Sequence, residues 1–137
     1  MKSLMNWIKR KKRPRNQLLI LDDITAHLKD SNTMKDLVEL STNRRHLKLS
    51  IVLLVQFLRS IPRPIRFQMT DVTFFKPSYE LDLKIIEEEY INMTKEYFKD
   101  LTRFIFINKH DFIFINKDEE LYYKNLQRIH FNKISNI

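Results

Sequence analysis

The sequence predicts an α/β fold in which parallel strands alternate with flanking helices and a C-terminal antiparallel hairpin follows. Two aliphatic runs, residues 17–21 and 49–55, have the composition of strands buried on both faces of a parallel sheet. A helical segment separates them, and a third strand-like run spans residues 71–75. At 137 residues, the chain is about one domain long.

Capping residues and apolar spacing predict the helices. Asp30 or Ser31 can cap a helix that runs to about Thr42. Residues 79–101 carry apolar side chains close to helical spacing, which predicts one long helix. Residues 60–67 contain two prolines, so they are predicted to form a loop or one short turn rather than a helix.

The C-terminal third contains a short internal repeat. Residues 103–108 and 111–116 both include the letters FIFIN, with Lys109 and His110 between them. Two apolar runs separated by a short polar connection are typical of a β-hairpin. The sequence therefore predicts two strands here, and it gives no clear pattern for residues 122–137.

The positive charge is concentrated at the N-terminus. The formal net charge is +8, and the first fifteen residues hold seven lysines and arginines and no acid, which leaves 18 basic against 17 acidic residues beyond them. The charge therefore indicates a basic N-terminal arm, residues 1–16, rather than a uniformly basic fold. We expect one domain across residues 17–127 and a tail across residues 128–137.

The composition excludes several kinds of site. Without cysteine the chain forms neither a disulfide nor a thiolate metal site, and no apolar run approaches the roughly 20 residues of a membrane span. The chain also has no glycine. Glycines let backbone N–H groups approach phosphates closely in the Walker A loop and in the dinucleotide fingerprint, so neither motif is present in these 137 residues.

Polar side chains that follow the first two strands are the strongest candidates for chemistry. Asp22 and Asp23 follow the first run directly, and Gln56 follows the second. An acid pair at a sheet edge can organise Mg²⁺ and orient an attacking water, and a carboxamide offers both a donor and an acceptor. Each has an ordinary structural alternative, because such acids often cap a helix and such amides often mark a strand end at solvent.

Two basic segments lie beside these strands. Arg45 and His46 precede the second strand, and an arginine there suits phosphate oxygens in the chain's own site or in a neighbouring subunit's site. The alternative is that basic residues accumulate at a helix C-terminus. Arg59, Arg63 and Arg66 form a basic loop that can contact DNA phosphates, and solvated charge is the competing explanation.

The order and spacing of these residues resemble the genome-packaging ATPases of poxviruses and other large DNA viruses, which belong to the FtsK/HerA superfamily. The resemblance lies in LLILDD, NRRHLKLSIVLLVQ and PRPIRFQMTDVTFF, and KHDFIFINKDEELYYKN adds to it. It covers roughly residues 17–127. It implies part of a RecA-like P-loop NTPase sheet, namely the C-terminal half of the packaging-ATPase domain.

The resemblance also implies roles for individual residues. Asp22 matches the acid that organises Mg²⁺, Asp23 the residue that polarises water, and Gln56 the sensor. Arg45 belongs to the family's Arg-His pair, although Arg44 stands where a glycine is often found. Arg66 matches the arginine of the family's Ile-Arg element. Gln68 stands where the resemblance leads us to expect an asparagine.

These implications define the partners and cofactors to be expected. The chain would use ATP and Mg²⁺ only with a complementing Walker A segment, and it should not hydrolyse ATP by itself. Its partners would be viral double-stranded DNA and either a homo-oligomeric ring or a separately encoded Walker A half. The expected location is the viral assembly site in the host cytoplasm, or the virion, and not the secretory route.

Two hypotheses of another class remain open from the residues alone. The basic arm, residues 1–16, can hold nucleic acid electrostatically without any enzymatic activity. Alternatively, its apolar side chains can enter an anionic membrane surface beside the lysines. Both depend on the arm rather than on the two strands.

Overall fold

The computed structural model describes residues 15–91 and 93–130, so almost all of the basic arm and residues 131–137 lie outside the described part. The chain divides between Gln68 and Met69 into two compact units, here named unit 1 and unit 2. Unit 1 contains a two-stranded sheet and unit 2 a four-stranded sheet. No helix of the described residues is long and apolar enough to cross a membrane. The α/β class predicted from the sequence is confirmed.

Unit 1 is built on two adjacent parallel strands. Gln17 lies opposite Leu49 and Asp22 lies opposite Leu54. The strands and the helix predicted between them are confirmed. The elements in chain order are β1 (Gln17–Asp22), a 3₁₀-helix (Ile24–Lys29), α1 (Ser31–Asn43), β2 (Leu49–Leu54), a second 3₁₀-helix (Leu58–Ser60) and α2 (Arg63–Gln68).

Helix α1 starts at a side-chain cap and packs on one face of this sheet. The Asp30 carboxylate accepts from the Thr33 backbone N–H at 2.8 Å and from its hydroxyl at 2.7 Å, which satisfies an otherwise unpaired donor of the first turn. Toward the sheet, the helix contributes Leu40, which is fully buried. The cluster around it comprises Leu49 with the partly buried Leu19, Leu47 and Ile51.

The opposite face of the sheet is uncovered in the described part of the chain. Burial alternates along both strands, and the side chains on this face are between 41% and 62% exposed. The prediction that these strands are buried on both faces is therefore wrong here, because aliphatic composition records what a strand can bury, while the packed layers decide what it does bury. This surface is the open face, defined as Leu18, Ile20, Val52 and Leu54.

The predicted loop at residues 60–67 is also wrong, because residues from Arg63 onward form helix α2. Pro64 occupies the second helical position, where its missing N–H leaves no hydrogen bond unmade. The carbonyl of Pro62 accepts from the N–H groups of Ile65 and Arg66, each at 3.0 Å. The two prolines therefore start the helix rather than prevent it.

Unit 2 is an antiparallel sheet in the order β3-β4-β5-β6, with helical segments between β3 and β4. Strand β3 exists as predicted, but it does not extend the parallel sheet. It pairs antiparallel with β4, with Val72 opposite Ile115. The elements are β3 (Asp71–Phe75), α3 (Glu80–Ile86), a π-helical turn (Glu87–Ile91), α4 (Lys95–Ile105), β4 (Phe112–Asn116), β5 (Leu121–Lys124) and β6 (Gln127–Ile129).

The single long helix predicted across residues 79–101 is wrong, because two helices separated by a π-helical turn occupy this stretch. Thr94 has an extended backbone (φ −65°, ψ 153°) and starts the second helix. A π-turn inserts an extra residue into the helical repeat, so each helix carries its own apolar stripe. In α4 this stripe is Phe98, Leu101 and Ile105.

The FIFIN repeat forms two different structures, which corrects the predicted hairpin. The first copy lies at the end of α4, where Ile105 is 1% exposed and continues the helical stripe. The second copy is β4, where Ile113 and Ile115 are buried at the two-residue period of a strand. The hairpin partner of β4 is β5, in which Tyr123 lies opposite Phe114.

A buried carboxylate holds two turns of unit 2 together. Asp111 accepts from the backbone N–H of Asn108 at 2.7 Å and, through its other oxygen, from the side-chain amide of Asn125 at 3.0 Å. The side-chain oxygen Oδ1 of Asn125 in turn accepts from the Phe112 N–H at 3.0 Å. The turn after α4 is thereby fixed to the turn between β5 and β6.

This network predicts an acid-sensitive contribution to stability. The Asn108 N–H, followed by the Asn125 amide, lowers the pKa of Asp111 below its ordinary value of 3.8. A carboxyl group with a lowered folded-state pKa stabilises the fold above the unfolded-state pKa, and this contribution is lost as the pH falls through the folded-state value. We expect the difference in unfolding free energy between the wild type and Asp111→Asn to be largest at neutral pH and to shrink below about pH 4.

The measurement is chemical denaturation at a series of pH values. All five tyrosines lie in unit 2, so their near-ultraviolet circular dichroism reports on that unit. Asp118→Asn removes an equivalent negative charge from an exposed turn and serves as the control. A wild-type advantage over Asp111→Asn that stays constant on acidification would contradict the prediction.

Candidate nucleotide site at the sheet edge

The polar residues that follow β1 and β2 emerge at one edge of the parallel sheet. Asp22 is the last residue of β1 and lies opposite Leu54, the last residue of β2. Gln56 follows two residues beyond Leu54. Because the strands are parallel and directly paired, their carboxyl ends coincide, and the acid pair and the amide share that edge.

Asp23 turns the chain sharply at this edge. Its backbone is left-handed, with φ 47° and ψ 40°, and its N–H donates to the Leu54 carbonyl at 3.1 Å. This conformation disfavours residues with a Cβ, and aspartate is among those that tolerate it best. In a chain without glycine, a strained position of this kind has to be filled by another residue type.

The carboxylate of Asp23 does not cap the helix that it precedes. Asp23 occupies the N-cap position of the first 3₁₀-helix, but its side chain makes no capping hydrogen bond. Asp30, by contrast, does cap α1. The capping alternative suggested by the sequence therefore applies to Asp30 and is wrong for Asp23.

The three side chains are available to a ligand. Asp22, Asp23 and Gln56 are exposed, and the side chain of none of them forms a hydrogen bond or an ion pair with another described residue. No cluster of three or more possible metal ligands exists among the described residues. Mg²⁺ at nucleotide sites is commonly held by one or two carboxylates together with phosphates and waters, so an acid pair at this edge fits that ion.

Arg45 does not join this cluster within its own subunit. It lies in the turn between α1 and β2, where the Lys48 N–H donates to its carbonyl at 3.1 Å. The turn leads into the amino end of β2, and five residue steps of strand, about 17 Å, separate Leu49 at that end from Leu54. Within its own subunit Arg45 therefore lies at the opposite sheet edge from Asp22, because a residue that precedes a parallel strand and a residue that ends one lie at opposite edges.

The three arginines after Gln56 differ in their surroundings. The guanidinium of Arg59 lies 5.0 Å from the centre of the Phe57 ring, and that of Arg63 lies 5.0 Å from the centre of the Phe67 ring. Both arginines are exposed. Arg66 is partly buried and donates to the Ile61 carbonyl at 2.6 Å, so it stabilises the turn before α2, a role that its sequence position did not indicate.

Sequence reasoning missed the open face, which belongs to the same region. Side chains alternate along β1, so Asp22 lies on the same face as Leu18 and Ile20. The sequence signal for the open face was that two aliphatic strands are accompanied by a single long helix in unit 1, and one helix covers only one face of a sheet.

The fold that positions the acid pair and the amide at one sheet edge is similar to that of a viral DNA-packaging ATPase of known structure. The crystal structure of B204, the DNA-packaging ATPase from Sulfolobus Turreted Icosahedral Virus, matches with a TM-score of 0.69 and 18% sequence identity. The match covers 94% of this chain and 60% of that chain.

The family model described as Poxvirus A32 protein matches residues 1–132, and the chain belongs to this family. No curated protein sequence matches it significantly. The relation to viral genome-packaging ATPases expected from the sequence motifs is thus confirmed at the level of family and fold. The chain spans 60% of the length of the matched structure.

Proposed function

We propose that this chain supplies the Walker B and sensor part of an ATP-driven translocase that packages double-stranded viral DNA. The observation that carries the proposal is the direct parallel pairing of β1 with β2, which brings Asp22 and Gln56 to one sheet edge. The Asp23 carboxylate also supports the proposal, because an acid at the N-cap position usually caps its helix and this side chain makes no capping hydrogen bond.

Each of the three residues has a task suited to its chemistry. Asp22, at the end of a rigid strand, organises Mg²⁺ on the bound ATP. Asp23 orients and polarises the attacking water, and Gln56 contacts that water and the γ-phosphate, since a carboxamide both donates and accepts. Phosphoryl transfer depends mainly on positioning and charge neutralisation, which such groups provide.

The remaining part of the site comes from a Walker A segment outside these 137 residues, on the same chain in a longer form or on another polypeptide. The open face supports this, because an apolar sheet surface of this kind is usually covered in a folded α/β protein. In the RecA-like arrangement that the family implies, the Walker A strand pairs with the outer edge of the sensor strand, here β2. No other strand of the described residues occupies that edge.

The working assembly in this proposal is an oligomeric ring. Arg45 lies at the opposite edge from Asp22, which favours a role across a subunit boundary over a role in its own site. Arg59 and Arg63 are exposed just beyond Gln56 and contact DNA phosphates. We place this activity at the viral assembly site in the host cytoplasm or in the virion.

The test is phosphate release from ATP by the 137-residue chain, alone and mixed with a polypeptide that carries a Walker A loop, to be sought in the reading frame upstream. We expect no hydrolysis above background from the chain alone, because it lacks a backbone cradle for the phosphates. The mixture should hydrolyse ATP, and a version of the segment without its loop lysine should not. Hydrolysis by the chain alone, unchanged by the segment, would contradict an external Walker A.

A further inference from the structure

The two ends of the unit 2 sheet carry opposite charge. At the end where Asp71 lies opposite Asn116, the tight turn at residues 117–120 contains three acids. The single lysine there, Lys117, lies near Glu89 and Asp118. This end of the sheet is therefore predominantly acidic.

The other end is basic, and it is named the basic end. Phe75 lies opposite Phe112 here, and β5 turns into β6 directly after Lys124. The connecting residues 76–77, 106–111 and 125–126 contain one acid, the buried Asp111. The cations gathered at this end are Lys76, Lys109, Lys124 and Arg128, with His110 beside them.

The basic end is held in a defined geometry. Asp111 ties the turn after α4 to the β5–β6 turn through Asn108 and Asn125. The Lys124 ammonium donates to the Phe104 carbonyl at 2.8 Å and lies 4.4 Å from the centre of the Phe104 ring. Because these turns are already ordered, a ligand that binds several of the cations orders little additional backbone on binding.

The apolar side chains at this end help to define the partner. Ile107 is 67% exposed and Leu126 is 89% exposed, and both are aliphatic. Single-stranded nucleic acid is usually bound by stacking bases on open aromatic rings. The two exposed rings here already have a partner, because Phe104 has Lys124 over it and the ring of Phe75 lies 5.6 Å from that of Phe112, centre to centre. Cations beside exposed aliphatic tips instead suit the phosphates and groove of a duplex.

We propose that the basic end of unit 2 binds the phosphate backbone of double-stranded DNA. This surface is separate in sequence from the arginines after Gln56, so the motor would contact its DNA through both units. The proposal rests on the proposed function only for the identity of the nucleic acid, since binding is measurable without hydrolysis. A failure of one is therefore distinguishable from a failure of the other.

The test measures binding of the full chain to a short labelled duplex by fluorescence anisotropy over a range of salt concentrations. The variant is Lys109→Glu with Arg128→Glu, two exposed cations whose side chains have no hydrogen-bond or ion-pair partner among the described residues. We expect affinity at low salt to fall on the order of tenfold or more, and the slope of log affinity against log salt to decrease by about two.

The matched control is Lys29→Glu with Lys35→Glu, which makes the same change in net charge at exposed positions of unit 1. Equal weakening in both double variants would overturn the proposal, because it would show a general effect of net charge. Tyrosine circular dichroism checks folding, and Lys109→Gln with Arg128→Gln replaces the reversal if that variant unfolds. Retention on anionic vesicles that is lost in the same variant, without duplex binding, would also overturn it in favour of a membrane surface.

Discussion

Replacing Asp23 with asparagine is expected to reduce ATP hydrolysis by the complemented motor by about 100-fold or more. A neutral amide neither accepts a proton nor polarises a water molecule as a carboxylate does. The measurement is the steady-state rate of phosphate release from the chain mixed with its Walker A segment, at saturating ATP and Mg²⁺. DNA is included so that the motor is assayed under turnover.

The backbone of Asp23 makes asparagine the informative substitution. At φ 47° and ψ 40° asparagine is tolerated at least as well as aspartate, so the turn should be preserved. Alanine there would add a backbone cost of about 1 kcal/mol and confuse chemistry with stability. A loss of activity in Asp23→Asn can therefore be assigned to the missing charge.

The control for this experiment is Asp30→Asn in the same unit. Asp30 caps α1, and asparagine caps helices about as well, so this change should leave both fold and rate unaltered. Equal rates in the wild type and in Asp23→Asn would remove Asp23 from the role given to it. Asp22 would then be the remaining acid at that sheet edge.

Truncation of Ile115 to alanine is expected to destabilise unit 2 by about 2–5 kcal/mol. Ile115 is 0% exposed in β4, so its removal loses buried apolar area and leaves a cavity. Denaturant unfolding followed by the tyrosine signal measures the change in the free energy of unfolding, since all tyrosines lie in this unit.

The chain contains its own control for this truncation. Ile107 holds the same position in the first FIFIN copy as Ile115 holds in the second, yet it is 67% exposed. Ile107→Ala should therefore change the free energy of unfolding by no more than about 0.5 kcal/mol. Similar destabilisation by both truncations would mean that the two copies share one environment, contrary to the structure.

Local sequence predicted β1, α1 and β2 of unit 1 well, but it missed α2 and predicted the elements of unit 2 less well. The aliphatic runs ending at Asp22 and before Gln56 identified two strands, and Asp30 marked the start of α1. These predictions succeeded because strand composition and helix capping are decided by residues close together in the sequence. The long helix and the C-terminal hairpin failed because the π-turn and the pairing of β4 depend on contacts with distant residues.

In the candidate site, too, some features were predictable from nearby residues and others depended on tertiary contacts. The residue types and their spacing were enough to select Asp22, Asp23 and Gln56, since the sequence shows acids and an amide directly after two aliphatic runs. Their shared edge, however, required the parallel register of β1 and β2. The separation of Arg45 from that edge and the left-handed backbone of Asp23 were likewise outcomes of tertiary structure.

The sequence by itself determined the α/β class, the strands of unit 1 and the absence of a glycine-rich phosphate loop in these residues. Tertiary structure alone decided that one FIFIN copy ends a helix and the other forms a strand. The physical reason is that a short apolar segment gains similar burial from either periodicity. Ile105 completes the apolar stripe of α4, and Ile113 and Ile115 fill the core beside β3 and β5.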